Sequence, residues 1–185
     1  NFLSRYTPLI YFFVMIKIKD NFLDKNIFQN IQQLYFSNQI PWTYGEVVFD
    51  HELESEVSRL DNYQFSHLLY SYDQPTSNLF QNIIPLLNSI DLATVTKIKV
   101  NMNPRTSKIV EHGFHTDVPF KCKTGILYLN SNDGYTSFED GTKVESVENR
   151  FVTFDSNIKH SGTTCTNQKV RLVLNINYFH FDPHK

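Results

Sequence analysis

The sequence predicts a mainly β domain with flanking helices, built as a double-stranded β-helix, the cupin-like jelly roll. Three observations lead there. Helical periodicity is confined to the first half of the chain. From Thr96 onward the pattern changes to short alternating strands broken by turn dipeptides at close spacing. The composition, 41% hydrophobic and 15% aromatic with 16 Phe and 10 Tyr, is that of a packed core. Helices first, then about eight antiparallel strands, reads as a double-stranded β-helix or jelly roll.

Taken in order, the chain opens on an apolar run, Leu9-Ile10-Tyr11-Phe12-Phe13-Val14-Met15-Ile16. It falls far short of the roughly 20 residues that cross a bilayer. Only Arg5 precedes it and no small-residue cleavage site follows, so a signal peptide fits poorly. It reads either as a strand or as sequence upstream of a start at Met15, and the second is preferred because Met15–Lys19 already alternates like a first strand. Ile27, Phe28, Ile31, Leu34 and Tyr35 then share one helical face, with Asp24 as its cap and Pro41-Trp42 beyond its end. Strand-like stretches follow at Glu46–Phe49 and Gln64–Tyr72. A second helix is expected from about Asn78 to Asn88, capped by Thr76 or Ser77, with Pro85 kinking or ending it early. The strands of the second half are expected at Lys97–Met102, Lys108–His115, Gly125–Asn130, Val144–Val147, Arg150–Asp155, a strand ending near His160, and Lys169–Phe181. Asp133-Gly134 and Asp140-Gly141 are read as hairpin turns.

At 185 residues one domain is expected, residues 1–95 supporting a strand-rich core at 96–181, large enough to bury roughly two thirds of its unfolded surface. A formal net charge of −2 gives no global polycation to seek nucleic acid. Two cysteines, Cys122 and Cys165, imply no disulfide framework, and a reducing, cytoplasmic compartment is expected. No membrane partner is expected.

The chemistry sits in His115-Thr116-Asp117 followed by His160 and, eleven residues on, Arg171. On a strand, alternation points His115 and Asp117 to one side and Thr116 to the other. Two imidazole nitrogens and one carboxylate oxygen can occupy one face of an octahedral Fe(II), leaving three positions open. A His-x-Asp pair alone is weak. His180-Phe181-Asp182 has the same form, yet it runs into Pro183 and has no His and Arg downstream. The ordered set of His115, Asp117, His160 and Arg171 carries the argument.

With these residues in place, segment 96–181 resembles the catalytic core of the Fe(II)/2-oxoglutarate-dependent dioxygenases, in particular small prolyl 4-hydroxylase-like oxygenases of bacterial or bacteriophage type. The matching words are His115-Thr116-Asp117, Ile126-Leu127-Tyr128-Leu129-Asn130, Asp133-Gly134-Tyr135-Thr136-Ser137-Phe138, Phe151-Val152-Thr153-Phe154-Asp155, and His160 followed by Arg171. The resemblance is strong in the second half and reaches the first 90 residues only through their helix-then-barrel order. It implies that His115, Asp117 and His160 ligate Fe(II). It also implies that Arg171 pairs with the distal carboxylate of 2-oxoglutarate, a match for the planar guanidinium fork. Tyr128 would support that carboxylate, and O2 would be the second co-substrate, with ascorbate as a reductant. The expected reaction is hydroxylation of a substrate C–H with release of succinate and CO2. Asp117 disfavours halogenation, for which related enzymes open the carboxylate's place.

Some positions depart from that pattern. Asn103 stands before Pro104 where several prolyl hydroxylases have Tyr, and is a secondary pocket candidate. Asn175 and Asn177 replace residues that often flank the iron, and they share a side with Arg171 and Val173 by period two. These departures leave the iron chemistry intact and put a prolyl substrate in doubt. His51, His67 and His112 read as hydrogen-bonded core histidines, and Thr116 and Thr136 as structural. Lys97, Lys99, Arg105, Lys108, Lys121 and Lys123 make the region basic, which reads first as a solvated face and second as a mouth for an acidic substrate. The primary substrate is open, with a peptide or protein side chain favoured, entering over the loop Val118–Thr124 through Phe120, Lys121 and Lys123. The alternatives are a nucleic-acid demethylase, which would want a basic groove and aromatic lids that the sequence does not display, and a non-catalytic metal-binding jelly roll, which would not need Arg171.

Overall fold

The computed structural model describes residues 16–47 and 62–181. All of the apolar run 9–16 but Ile16, the second half of the strand expected at Glu46–Phe49, His51 and Asp182 lie outside them. The elements run β1 (Lys17–Lys19), α1 (Lys25–Tyr35), β2 (Thr43–Glu46), β3 (Tyr63–Ser71), β4 (Gln74–Pro75), a 3-10 segment (Asn78–Ile83), and α2 (Ile84–Leu87). Seven further strands follow: β5 (Leu92–Pro104), β6 (Lys123–Tyr128), β7 (Tyr135–Phe138), β8 (Lys143–Glu145), β9 (Phe151–Asp155), β10 (His160–Gly162) and β11 (Val170–His180).

The strands form two sheets. The larger has eight strands in the order β1-β9-β6-β11-β5-β3-β2, with β4 paired to β3, and the smaller is β10-β7-β8. Every pairing is antiparallel. Alternation splits the larger sheet into two faces. Leu127, Leu129, Leu172, Leu174, Ile176, Ile98 and Val100 point outward into one core with α1. Ile126, Tyr128 and Val173 point inward, where they meet Phe138 and Val144 of the smaller sheet. The inner face therefore carries Arg171, Val173, Asn175 and Asn177 on β11, and its counterpart on β5 is Lys97, Lys99, Asn101 and Asn103. Two layers closing over one polar inner face make the jelly-roll cup.

α1 forms where the periodicity places it. The Asp24 carboxylate accepts from the Asn26 N–H at 2.9 Å, capping the first turn. Phe28, Ile31 and Tyr35 are buried against the outer face, and Gln32 donates to the Leu129 carbonyl at 2.7 Å. Burying such side chains contributes roughly 1.5–3 kcal/mol each. No helix among the described residues is long and apolar enough to cross a membrane.

Three local expectations need correction. Pro85 does not kink a longer helix: it sits in the first turn of α2, where its missing N–H costs nothing, and the preceding turn is 3-10. Lys108–His115 is not a strand. Its backbone joins the smaller sheet through the isolated bridges Glu111↔Thr163 and His115↔His160, and the Glu111 carboxylate accepts from the Tyr135 and Ser137 hydroxyls of β7. Asp133-Gly134 is not a hairpin turn, because β6 and β7 belong to different sheets. The Asp133 carboxylate instead accepts from the N–H and hydroxyl of Thr166, clasping the loop that leads into β11. Asp140-Gly141 does turn the β7–β8 hairpin, with Gly141 at φ 86°.

Candidate metal centre

His115, Asp117 and His160 come together at the mouth of the cup. One ligand atom from each lies within 4.8 Å of the others. His115 Nε2 is 3.8 Å from Asp117 Oδ1, and His160 Nε2 is 3.7 Å from Asp117 Oδ2. Among the described residues no other group of three such side chains converges in this way.

Backbone carbonyls orient both rings. His115 Nδ1 donates to the Gly113 carbonyl at 3.0 Å and His160 Nδ1 to the Ile158 carbonyl at 3.3 Å. A carbonyl can only accept, so Nδ1 carries the proton and each Nε2 presents a lone pair to the centre. Burial pushes the His160 imidazole below its ordinary value, favouring the neutral form a ligand requires. Asp117 Oδ2 is buried with no hydrogen-bond partner. Two lone pairs and an unpartnered carboxylate oxygen with no donor among them fit a divalent cation. The pair of β-bridge hydrogen bonds between His115 and His160, each 3.0 Å, holds the two segments that carry the candidate ligands together.

The triad opens onto a cavity of about 270 Å³ whose lining includes Asn101, Asn103, His112, Thr136, Arg171 and Asn175. Arg171 is 1% exposed, and no carboxylate pairs with it among the described residues. Its Nε donates to Ser146 Oγ at 2.8 Å, one terminal nitrogen to Thr136 Oγ1 at 3.1 Å and the other to the Thr163 carbonyl at 3.5 Å. Five N–H groups are available, so donors remain for a ligand. A buried guanidinium held by neutral groups alone is costly until an anion joins it. Gly134 makes room for its stem: a Cβ there would lie 2.7 Å from Arg171 Cδ and 2.5 Å from the Thr164 carbonyl.

The other sequence candidates take different places. Asn103 lines the cavity with its Oδ1 buried and unpartnered. Tyr128 is fully buried beneath the Arg171 guanidinium, which lies 5.6 Å above its ring, and its hydroxyl donates to Thr136 Oγ1 at 2.8 Å. Thr136 thus stands between Tyr128 and the cavity, a role its sequence context did not reveal. His112 also lines the cavity. Its Nδ1 meets Asn62 Oδ1 at 2.8 Å, its Nε2 has no partner, and burial lowers its pKa to about 4. Asn175 lines the cavity, whereas Asn177 donates to Thr124 Oγ1 at 3.0 Å. His67 is the expected core histidine, bonded to Pro41 O and Ser77 Oγ. Lys123 pairs with Asp155 at 2.6 Å. Lys97 and Lys99 face the cavity, so this part of the basic region is not a solvated face.

With this geometry in hand, comparison with solved structures is informative. The chain is similar to a prolyl hydroxylase from Trichoplax adhaerens, in complex with a hypoxia inducible factor oxygen degradation domain peptide fragment: TM-score 0.61 at 16% identity, covering 89% of this chain and 83% of that one. An oxidoreductase of the 2OG-Fe(II) oxygenase family from Burkholderia pseudomallei gives TM-score 0.61 at 10% identity, with 90% and 86% covered. HygX from Streptomyces hygroscopicus, with nickel and 2-oxoglutarate bound, gives 0.59 at 8% identity, with 96% and 87% covered. The fold is that of the 2-oxoglutarate–Fe(II) oxygenases. No family model matches the sequence, and neither does any curated relative.

Proposed function

We propose that this chain is an Fe(II)- and 2-oxoglutarate-dependent dioxygenase that hydroxylates a peptide or protein side chain. The observation that carries the reading is Arg171, a buried guanidinium without a carboxylate partner among the described residues, opening on the same cavity as His115, Asp117 and His160. A metal triad alone would suit many reactions. A buried cation beside it calls for an anionic co-substrate that also reaches the metal.

His115 Nε2, His160 Nε2 and an Asp117 oxygen would hold Fe(II), with the Nδ1–carbonyl bonds fixing both rings. Arg171 and Thr136 would bind the far carboxylate of 2-oxoglutarate, Ser146 holding the guanidinium and Tyr128 orienting the Thr136 hydroxyl. Ile126 and Val173 line the same cavity and would exclude water beside the co-substrate. When bound, the metal and co-substrate supply the oxidation: 2-oxoglutarate, O2 and a substrate C–H yield succinate, CO2 and the hydroxylated product.

An apolar groove of about 710 Å³, lined in part by Leu68, Tyr72, Val118, Pro119, Phe120 and Phe179, reaches Asp117. Phe120 and Phe179 stack there with ring centroids 6.0 Å apart, both partly exposed. That surface supports a peptide substrate, as the peptide bound to the Trichoplax enzyme does by analogy. Glu46, Val47 and Gln64 line the cavity, which supports residues 1–95 as the part that sets substrate choice around the core at 96–181. Free, buried Cys122 and Cys165 suit a reducing cytoplasm. The test is succinate formation from 2-oxoglutarate with Fe(II), O2 and ascorbate. Succinate that depends on iron and vanishes in His160→Ala supports the reading; its absence from a protein shown to hold Fe(II) contradicts it.

A further inference from the structure

On the inner face of the larger sheet, the register pairs Arg171 with Asn103, Asn175 with Lys99 and Asn177 with Lys97. Lys99 therefore lies four residues along β5 from the level of Arg171, roughly 13 Å at the usual strand rise. A 2-oxoglutarate molecule reaching from Arg171 to the triad uses its two carboxylates at that end of the cup. Both lysines nevertheless line the cavity, and Lys97 also lines the apolar groove, so it stands where the two meet.

Neither lysine makes an ion pair among the described residues. The acidic groups that share the cavity lining are Asp117 and Glu46, the latter exposed at the rim. Burial lowers the Lys99 pKa and the Asp117 carboxylate acts against that shift; a divalent metal on Asp117 would take that charge away. Around the lysines, Asn101 and Asn175 are buried, line the cavity, and have Oδ1 atoms without partners. An amide can turn either its N–H or its C=O to a ligand.

We propose that Lys97 and Lys99, flanked by Asn101 and Asn175, form a second anion subsite that seats a carboxylate of the primary substrate, next to the carbon to be hydroxylated. This rests on the oxygenase reading above and names the substrate class of that site: a carboxylate-bearing residue. The carboxylate would sit further along the inner face from Arg171, at the level of Lys99 and Asn175. It belongs to an Asp or Glu side chain of a peptide or to a free acidic amino acid.

The experiment is calorimetric, on the full chain loaded with Mn(II) and saturating 2-oxoglutarate. The probes are free L-aspartate and L-glutamate, degenerate hexapeptide pools centred on Asp or Glu, their Asn and Gln counterparts, and a phosphoserine pool. Loading is checked first: a protein that takes up no metal-dependent 2-oxoglutarate sinks the oxygenase reading, and this inference with it. On a loaded protein, an acidic probe should bind and its amide counterpart should bind about tenfold to a hundredfold less tightly, as for a charge-assisted bond replaced by a neutral one. Preference for the free amino acids or for the pools identifies the source. Lys99→Met and Lys97→Met should each bring the acid-to-amide ratio towards one, and Lys99→Glu should reverse it. Equal binding of acid and amide, binding of neither, or tighter binding of the phosphoserine pool overturns the inference. The wild-type comparison needs no variant to fold.

Discussion

Arg171 and His112 show how burial sets chemistry at the level of single residues. The guanidinium is held in a dry place by hydrogen bonds that Ser146, Thr136 and the Thr163 carbonyl accept, and no carboxylate pairs with it among the described residues. His112 answers the same environment in the opposite way. Burial first, then the nearby Arg171 and His115, lower its pKa from 6.5 to about 4. Between those values the unfolded chain binds the proton and the folded chain does not, so stability rises with pH through the window and falls as the solution is acidified. The effect is at most roughly 3 kcal/mol, from about 1.4 kcal/mol per pKa unit. Denaturant unfolding at pH 4.5 and 7 should show this loss, and a His112→Asn variant should lose less between the two. An equal loss in both proteins would assign the acid sensitivity to other groups. The candidate metal residues and Arg171 could be proposed from the sequence because their order along the chain carries information. Thr136, His112 and Asn101 were not, since a threonine, a histidine and an asparagine reveal a role only through what the fold places beside them.

At the level of elements, period two on β5, β6 and β11 was readable and placed Arg171, Val173 and Asn175 on one face. The segment Lys108–His115 was misread because its alternating pattern is satisfied by loop hydrogen bonds and two isolated bridges, a tertiary arrangement that propensity cannot foresee. α1 was legible from its cap and stripe, but not the cost hidden in Tyr35. Its ring is 2% exposed and its hydroxyl is buried without a partner. Removing an unsatisfied hydroxyl leaves the packing intact, so Tyr35→Phe should raise stability by about 1 kcal/mol. Ile31→Ala on the same face, which opens a cavity, should lower it by about 2–5 kcal/mol. Both are read from urea midpoints at constant slope. A destabilised Tyr35→Phe would mean that the hydroxyl has a partner in solution.

For the whole molecule, the triad joins an irregular segment at 115–117 to β10, so metal binding should stabilise the entire fold. A ligand at a hundred times its dissociation constant adds about 2.7 kcal/mol. Calorimetric melting should therefore shift upward with Fe(II), Mn(II) or Ni(II) in the wild type and return on chelation. His160→Ala should show little shift. Equal shifts in both would place the metal elsewhere.

On the proposed reading, Arg171 and the metal triad hold one 2-oxoglutarate between them. The most direct measurement is an anaerobic titration of the Mn(II)-loaded chain with 2-oxoglutarate, in the wild type and in Arg171→Ala. One co-substrate should bind per chain, only when metal is present, and Arg171→Ala should weaken it by on the order of 2–5 kcal/mol while metal affinity stays near that of the wild type. Binding of 2-oxoglutarate with unchanged affinity in Arg171→Ala, or without any metal, would contradict the account.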